Sequence, residues 1–230
     1  MNYIVIPAYQ PDNKLIKLIE KIHEKSDFRI LVIDDGSSSK CQNIFDKAEQ
    51  YATVLRHQVN QGKGQALKTA FTYIQQQNSY GTVVTADADG QHKIWDIFRT
   101  ANKASENPNK LILGVRAFTG KVPLRSRFGN SLTKALFKIQ TGVEVADTQT
   151  GLRAFTTNLI PFMLKIEGQR YEYEMNMLLK ATKEYQILEV PIETVYINDN
   201  EGSHFRPIRD GLMIYKNIFK FALSSLSSFV

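Results

Sequence analysis

Two carboxylates placed two residues apart are the strongest chemical feature of the sequence. Asp87 and Asp89 follow directly on the apolar run Thr82–Ala86, and Gln91 comes two residues later. In an extended segment, side chains two residues apart point the same way, so both carboxylates can share one cation. Oxygen ligands suit Mg2+ or Mn2+, which usually take substrate phosphate oxygens as well. We therefore predict a metal site formed by Asp87, Asp89 and Gln91, with an ordinary Asp- and Gly-rich turn as the alternative.

A second acidic pair, Asp34 and Asp35, ends another apolar run and precedes Gly36. A carboxylate in that position can accept hydrogen bonds from a base or from ribose hydroxyls, while Gly36 permits a tight turn. The alternative is a helix cap by Ser37 or by Ser38 one residue later. Taken by itself, this pair predicts a nucleoside site only weakly.

Two further segments add to the same picture. The first apolar run ends in Pro7, Ala8 and Tyr9, which together with Asp34 or Asp35 outline a nucleoside pocket with an aromatic wall. Lys63 lies in a glycine-containing segment at a predicted helix start, where backbone amides and a lysine suit an anion. A purely structural glycine turn is an equally good interpretation of that segment.

The elements that must position these residues are predicted from hydrophobic periodicity. Short apolar runs alternate with stretches of helical spacing, which indicates βαβ units and a mostly parallel sheet covered by helices. Because crossovers are right-handed, the carboxyl ends of such strands share one edge, where ligands of open α/β sheets bind. The predicted strands are Tyr3–Pro7, Ile30–Asp34, Thr53–Arg56, Thr82–Ala86 and Leu111–Val115.

The second half of the chain is less regular. Ser126–Gln140 and Tyr173–Tyr185 are predicted helices, and Ile187–Val195 is a predicted strand interrupted by Pro191. From residue 208 the apolar residues follow a three-four alternation with basic residues close by. That pattern is typical of a helix in a membrane interface, although a closing helix packed on the domain fits it too. We predict a catalytic domain over 1–207 and a basic amphipathic helix, for membrane contact or oligomerisation, over 208–230.

Composition limits the class of protein. The chain has 230 residues, 43% of them hydrophobic, with a formal net charge of +6, which fits one domain with an anionic partner such as a nucleotide or acidic lipid. The single cysteine excludes an internal disulfide. Basic residues are dispersed and no nucleic-acid motif occurs, so nucleic acid is not an expected partner. With no signal peptide and no apolar run of about 20 residues, a peripheral protein is expected, or one anchored by a segment beyond residue 230.

Several motifs in this order resemble family 2 glycosyltransferases of the GT-A fold. The later motifs resemble the branch of that family that uses polyprenyl phosphates. The early motifs are Pro7-Ala-Tyr, Asp34-Asp-Gly-Ser, Asn60-x-Gly-Lys-Gly and Asp87-Ala-Asp-Gly-Gln-His. The later ones are Asp147-Thr-Gln-Thr-Gly-Leu-Arg-Ala-Phe, Glu172-x-Glu and Glu189-Val-Pro-Ile. One departure is Lys93-Ile94, where the family has prolines after Gln-His.

The resemblance implies a role for each matching residue. Implied as catalytic are Asp89, Asp147 and Arg116; implied metal ligands are Asp87, Asp89 and Gln91. Implied donor-binding residues are Pro7, Ala8, Tyr9, Asp34, Asp35, Lys63, Asp87, Gln149, Ser203 and Arg206. Arg127 and Ser131 match an element that grips the acceptor phosphate.

The implied activity is inverting transfer of a sugar, dependent on Mg2+ or Mn2+, from a UDP- or GDP-sugar to a polyprenyl phosphate such as undecaprenyl phosphate. It would take place at the cytoplasmic face of a membrane, in cell-envelope glycan synthesis, with a homo-oligomer or small membrane protein as a possible partner. Two alternatives stay open. One is extension of a saccharide, which would need a general base such as Asp147, Glu172 or Glu174; the other is a non-catalytic nucleotide-sugar-binding module.

Overall fold

A computed structural model describes residues 1–116 and 124–193, with residues 124–132 described by their backbone alone. Strands and helices alternate along most of this length. The strands are β1 Tyr3–Ala8, β2 Arg29–Asp34, β3 Thr53–Arg56, β4 Thr82–Thr85, β5 Lys110–Arg116, β6 Arg153–Thr156 and β7 Gln186–Ile192. The α-helices are α1 Asn13–Lys25, α2 Gln42–Ala48, α3 Lys63–Gln76, α4 Ile94–Glu106, α5 Leu124–Thr141, α6 Ile160–Lys165 and α7 Glu172–Glu184. Short 3-10 helices at Ser39–Cys41 and Thr157–Leu159 precede α2 and α6.

All seven strands form one sheet in the order β3-β2-β1-β4-β6-β5-β7. Neighbouring strands are parallel except around β6, which is antiparallel to both β4 and β5. The prediction of a mostly parallel sheet flanked by helices is therefore confirmed. The reversal places the segment that enters β6 at the edge where β4 and β5 end.

The sheet is buried on both faces, because alternate residues of each strand enter different cores. On β1, Tyr3 and Val5 belong to one core while Ile4 and Ile6 belong to the other. Helix α3 covers the first face with Ala70 and Phe71 among others, together with residues of α5, α6 and α7. Helices α1, α2 and α4 cover the second face. Strands buried on both faces are expected to show near-continuous apolar runs, as the sequence does here.

Within the described residues, the predicted strands and helices match the structure to within about two residues. Helices α2, α4 and α6 were not predicted. Strand β6 was not predicted, although its four residues are all buried. The interrupted strand at 187–195 is β7, which lies at the edge of the sheet. Pro191 is tolerated there because an edge strand pairs on one side only, so its missing N–H leaves no partner unsatisfied.

Some expectations concern parts of the chain outside the described residues. They are Ser203, Arg206 and the amphipathic helix at 208–230, together with the division into domains at residue 207. The side chains of Arg127 and Ser131 also lie outside the description, although their backbone belongs to α5. Among the described residues, none of the helices combines the length and apolar character needed to span a bilayer.

Candidate active site

The carboxyl ends of β1, β2, β4 and β5 carry the polar residues singled out in the sequence. Ala8 and Asp34 are partners in register at the ends of β1 and β2, and the next residue, Asp35, donates its N–H to the carbonyl of Ala8 at 2.9 Å. Pro7 and Ala8 are part of β1, and Tyr9 follows with 38% of its surface exposed. The predicted nucleoside residues are thus adjacent at one edge of the sheet.

Asp87 lies in a network of charges just beyond β4. Its Oδ1 accepts a hydrogen bond of 2.8 Å from Lys63 Nζ, and its Oδ2 is 3.3 Å from His92 Nε2. The Lys63 ammonium is also 3.0 Å from Glu174 Oε2. Burial alone would raise the pKa of Asp87, but the charge of Lys63 and the hydrogen bond with His92 hold it far below the ordinary value. Asp87 is therefore a fixed negative charge.

Lys63 is the counterpart of that charge. Burial alone would lower the pKa of Lys63, but the carboxylates of Asp87 and Glu174 together raise it above the ordinary value. The ammonium is therefore a fixed positive charge, held between two helices and the β4 loop. From the sequence, Lys63 is predicted to bind an anionic ligand. In the structure its direct partners are two carboxylates of the protein itself.

Gly151 makes room for Asp87. A Cβ at Gly151 would lie 2.3 Å from Asp87 Oδ2 and 2.6 Å from Oδ1, closer than real Cβ contacts. The glycine is fixed in turn by Thr85, whose hydroxyl donates to its carbonyl at 2.7 Å. The carboxylate of Asp87 therefore packs directly against backbone, which restricts where its two oxygens can point.

Asp89 differs from Asp87 in forming no ion pair with the residues that the structure describes. It is half-buried, and its Oδ1 accepts a hydrogen bond of 3.0 Å from the N–H of Gln91. Its Oδ2 makes no hydrogen bond to the described residues. Burial raises the pKa of Asp89, and the negative charge of Asp87 raises it further. A cation near Oδ2 would relieve both effects.

The oxygen-bearing side chains of this edge fit a hard cation that is bound partly by the protein and partly by a substrate. Within residues 1–116 and 124–193, no group of three or more His, Cys, Asp or Glu side chains is arranged to hold a metal. The carboxylates of Asp87 and Asp89 and the amide of Gln91 could hold such a cation, with water or phosphate as its further ligands. Mg2+ is usually bound in this way, through one or two carboxylates and substrate phosphates.

The acidic pair at the end of β2 is organised differently. Asp35 is buried and accepts four hydrogen bonds, all of 2.8–2.9 Å: one with His57 Nδ1, one from Asn60 Nδ2, and two from the N–H groups of Gln61 and Gly62. Such a carboxylate holds the loop that leads into α3. The donors around it come from the protein, which leaves little capacity for a nucleoside.

Asp34 has one carboxylate oxygen that no other described residue contacts by a hydrogen bond. Its Oδ1 accepts a hydrogen bond of 2.8 Å from the N–H of Ser37, while Oδ2 has no hydrogen-bond partner among the described residues. The turn between them requires Gly36, which has a φ of +71° and whose Cβ would lie 2.2 Å from the carbonyl carbon of Val59. Of the two acids, Asp34 is the one that can still accept a hydrogen bond from a ligand.

Arg116 and Asp147 form a bidentate ion pair. Nε and Nη2 of Arg116, at the end of β5, donate to the two oxygens of Asp147 at 2.5 and 3.0 Å. Asp147 is 0% exposed, and its Oδ1 also accepts the N–H of Gln149 at 3.1 Å. Two residues predicted to meet the donor sugar and its phosphate thus fix each other's orientation.

Comparison with known proteins decides the class of this site. The model of the family described as glycosyl transferase family 2 matches residues 3–163. The chain belongs to glycosyl transferase family 2. Two curated relatives are named for transfer to dolichyl phosphate. A UDP-N-acetylglucosamine–dolichyl-phosphate N-acetylglucosaminyltransferase of Methanococcus voltae is 26% identical, over 84% of this chain and 85% of the relative. A dolichyl-phosphate β-glucosyltransferase of Saccharomyces cerevisiae is 25% identical, over 94% of this chain and 72% of the relative.

A solved structure confirms the fold of this family 2 glycosyltransferase. Glucosyl-3-phosphoglycerate synthase from Mycobacterium tuberculosis, in complex with Mn2+, UDP-glucose and phosphoglyceric acid, superposes with a TM-score of 0.71. It covers 96% of this chain and 79% of its own, at 18% identity. At that identity the likeness shows the fold, which is GT-A as the motifs had predicted.

Arg153 is a buried charge next to the segment of Asp147 and Gln149, and sequence analysis gave it no role although it lies within the quoted motif. Its buried guanidinium donates from Nε to the carbonyl of Thr150 at 3.0 Å and from Nη1 to the carbonyl of Glu174 at 2.5 Å. Nη2 has no hydrogen-bond partner among the described residues, and burial lowers the pKa of Arg153. The available signal was a charged residue within the apolar stretch Leu152–Phe155.

Proposed function

We propose that the protein transfers a sugar from a UDP- or GDP-sugar to a polyprenyl phosphate at a membrane surface, with inversion and with Mg2+ or Mn2+. That it is a family 2 glycosyltransferase follows from the family match. The finer statement has support from two sources. The relatives described above carry dolichyl phosphate in their names, and the three carboxylates considered as general bases for a saccharide acceptor favour an acceptor that needs no base.

The state of the candidate general bases is the observation that carries the proposal. A sugar hydroxyl acceptor requires a general base within reach, and the sequence offered Asp147, Glu172 and Glu174 for that role. Asp147 is fully buried, with both oxygens on Arg116. Glu174 is paired with Lys63.

Glu172 is also engaged. Its Oε1 accepts the N–H groups of Gln169 and Arg170 at 3.0 and 3.2 Å, and its Oε2 is buried. None of the three carboxylates therefore offers an exposed, unpaired oxygen. A phosphate monoester, with a second pKa of about 6, is already largely ionised near neutral pH and attacks without a base.

Eight described residues of the site have a proposed task. Asp34 Oδ2 accepts a hydrogen bond from the nucleoside, and Tyr9 packs against the base. Asp147 holds Arg116 so that the rest of the guanidinium faces the sugar-phosphate, and Gln149 contacts the donor sugar. Asp87, Asp89 and Gln91 would hold the metal, which when bound stabilises negative charge on the leaving diphosphate.

The remaining tasks fall on residues outside the description. Arg127 and Ser131 are proposed to position the acceptor phosphate, and Ser203 and Arg206 to close over the diphosphate. The segment 208–230 is proposed to bring the catalytic domain to the membrane surface. Attack by the acceptor phosphate in a single displacement inverts the anomeric carbon.

The test is transfer of radiolabelled sugar in detergent or liposomes. UDP-glucose, UDP-N-acetylglucosamine and GDP-mannose are each supplied with undecaprenyl or dolichyl phosphate, with Mg2+, Mn2+ or EDTA. We expect metal-dependent label in the lipid fraction for one donor, lost in Asp89→Ala and kept in Asp27→Asn, a change of an exposed carboxylate away from the site. Label that enters only soluble saccharides would overturn the proposed acceptor.

A further inference from the structure

Lys63 occupies a position that a bound metal would compete for. Its ammonium is 2.8 Å from Oδ1 of Asp87, one of the carboxylates proposed to bind the cation, and 3.0 Å from Oε2 of Glu174. The Lys63 and Glu174 side chains are only 17% and 11% exposed, so water screens these contacts weakly. The protein thus carries its own cation at the proposed metal site.

The charge of Lys63 lowers the attraction of the site for a free dication. Asp87 and Asp89 would present two negative charges, but Lys63 neutralises one of them at contact distance. A positive charge this close lowers the proton affinity of a carboxylate by about 10- to 1,000-fold. It must also lower the affinity of the carboxylate for a metal ion. A nucleoside diphosphate brings negative oxygens, which replace the negative charge that Lys63 neutralises.

Glu174 provides a second place for the ammonium. Its Oε1 is buried and has no hydrogen-bond partner among the described residues, while Oε2 already contacts Lys63. A buried acceptor without a partner is costly, so a small movement of Nζ from Asp87 towards Oε1 satisfies it. Glu174 therefore offers the lysine ammonium a second position, in which it contacts both oxygens of Glu174 and no longer contacts Asp87.

We propose that Lys63 is a built-in counter-cation of Asp87, which it releases to Glu174 when the metal arrives with the nucleotide-sugar. Metal binding is then weak in the free protein and strong in the presence of donor. This inference rests on the proposed metal and donor sites, and it makes no use of the acceptor. Lys63 and Glu174 act as positioning residues, since neither needs to touch the reacting atoms.

The test is the affinity for Mn2+, measured by titration calorimetry or by the EPR signal of free Mn2+, alone and with UDP or GDP. In the wild type we expect the nucleotide to tighten Mn2+ binding at least about tenfold. The key variant is Lys63→Met with Glu174→Gln, which keeps the net charge of the cluster and leaves His92 beside Asp87. We expect it to bind Mn2+ alone about tenfold or more tightly than the wild type, with a smaller effect of nucleotide.

Glu174→Gln alone should change the affinity in the opposite direction. It leaves the lysine charge in place without its second acceptor, so Mn2+ should bind more weakly than to the wild type. A merely structural role of the pair predicts weaker binding in both variants, together with a lower unfolding temperature. If the double variant does not fold, Lys63→Gln carries the same expectation of tighter Mn2+ binding.

The outcomes separate this inference from the proposed function. If the double variant binds Mn2+ alone no more tightly than the wild type, or if no protein binds Mn2+ with or without nucleotide, the counter-cation role is wrong. Label transfer to lipid is measured independently in the wild type. Transfer without the expected shift in Mn2+ affinity overturns the inference alone, and the shift without transfer to lipid overturns the acceptor alone.

Discussion

The ends of β2 and β4 carry similar acidic sequences at the same edge of the sheet, yet their carboxylates are used differently. Asp35, after β2, accepts four hydrogen bonds from the loop 57–62. Asp89, after β4, accepts one, and its other oxygen has no hydrogen-bond partner within residues 1–116 and 124–193. Asp35 therefore holds a loop in place, whereas Asp89 is the acid that we propose binds the metal. The partners of each carboxylate, rather than its place in the fold, distinguish the two roles.

Replacement of Asp89 should have the largest effect on activity. Asp89→Asn removes a charge from the proposed metal site, and we expect sugar transfer to fall by about three orders of magnitude, or about 4 kcal/mol of transition-state stabilisation. The unfolding temperature should stay the same or rise, because the repulsion from Asp87 is gone. Radiolabel transfer and calorimetry measure the two quantities, and a loss of both together would place Asp89 with the structural acids.

Gly151→Ala should have the next largest effect. The added Cβ would come within 2.3 Å of Asp87 Oδ2, so the carboxylate must move, and a displacement of about 1 Å at a reacting site can cost about 100-fold in rate. Transfer and Mn2+ affinity are the measurements. Gly142→Asn is the control, because an added Cβ there meets nothing within 4 Å and asparagine tolerates the left-handed φ. Equal activity of the two variants would contradict this account.

Asp35→Asn should act mainly on stability. The amide has one acceptor oxygen and places an NH2 group against the donors of the loop 57–62. We expect the free energy of unfolding to fall by about 2 kcal/mol, the cost of leaving buried partners unsatisfied. The KM for donor should rise more than kcat falls, since the loop leads into α3 and Lys63. Denaturant unfolding and donor titration test this, and a variant of full stability and very low kcat would make Asp35 a reacting group.

The smallest predicted effect is on the pH dependence of stability without metal. Because the pKa of Asp89 is raised in the folded protein, the folded state binds more protons than the unfolded state between the ordinary and the raised pKa. The free energy of unfolding of the wild type should therefore fall relative to Asp89→Asn as pH rises through that interval. Mn2+ with nucleotide should reverse the difference. If the wild type instead loses stability relative to Asp89→Asn as pH falls, the pKa of Asp89 is lowered in the folded protein.

The sequence was sufficient for the parallel strands, the edge where they end and the two acidic pairs, because apolar periodicity and strand ends are local properties. It was not sufficient for the partners of each charge. Lys63 was predicted to bind an anion, and only the packing of α3 against α7 shows that Glu174 lies beside it. That contact joins residues more than 100 positions apart, and no local pattern reports it.

Strand β6 illustrates the same limit for the fold. Its four residues follow the turn-rich segment 147–152, which resembles a motif more than it resembles the approach to a strand. Arg153 adds a charge at a position where a buried strand normally has an apolar residue. The charge is tolerated because backbone carbonyls of Thr150 and Glu174 accept its hydrogen bonds, and these carbonyls are fixed only in the complete fold.

The position of β6 also sets the order in which the chain can become complete. β4 and β5 are made before β6 but have no direct contact in the sheet, since β6 lies between them. A nascent chain that ends before residue 153 therefore has an unpaired β4 edge, which invites association with other chains. The Asp87 cluster, which needs Gly151 against its carboxylate, matures only when this late strand is inserted. Synthesis of the C-terminal half is thus a step in building a site whose proposed metal-binding acids, Asp87 and Asp89, come from the N-terminal half.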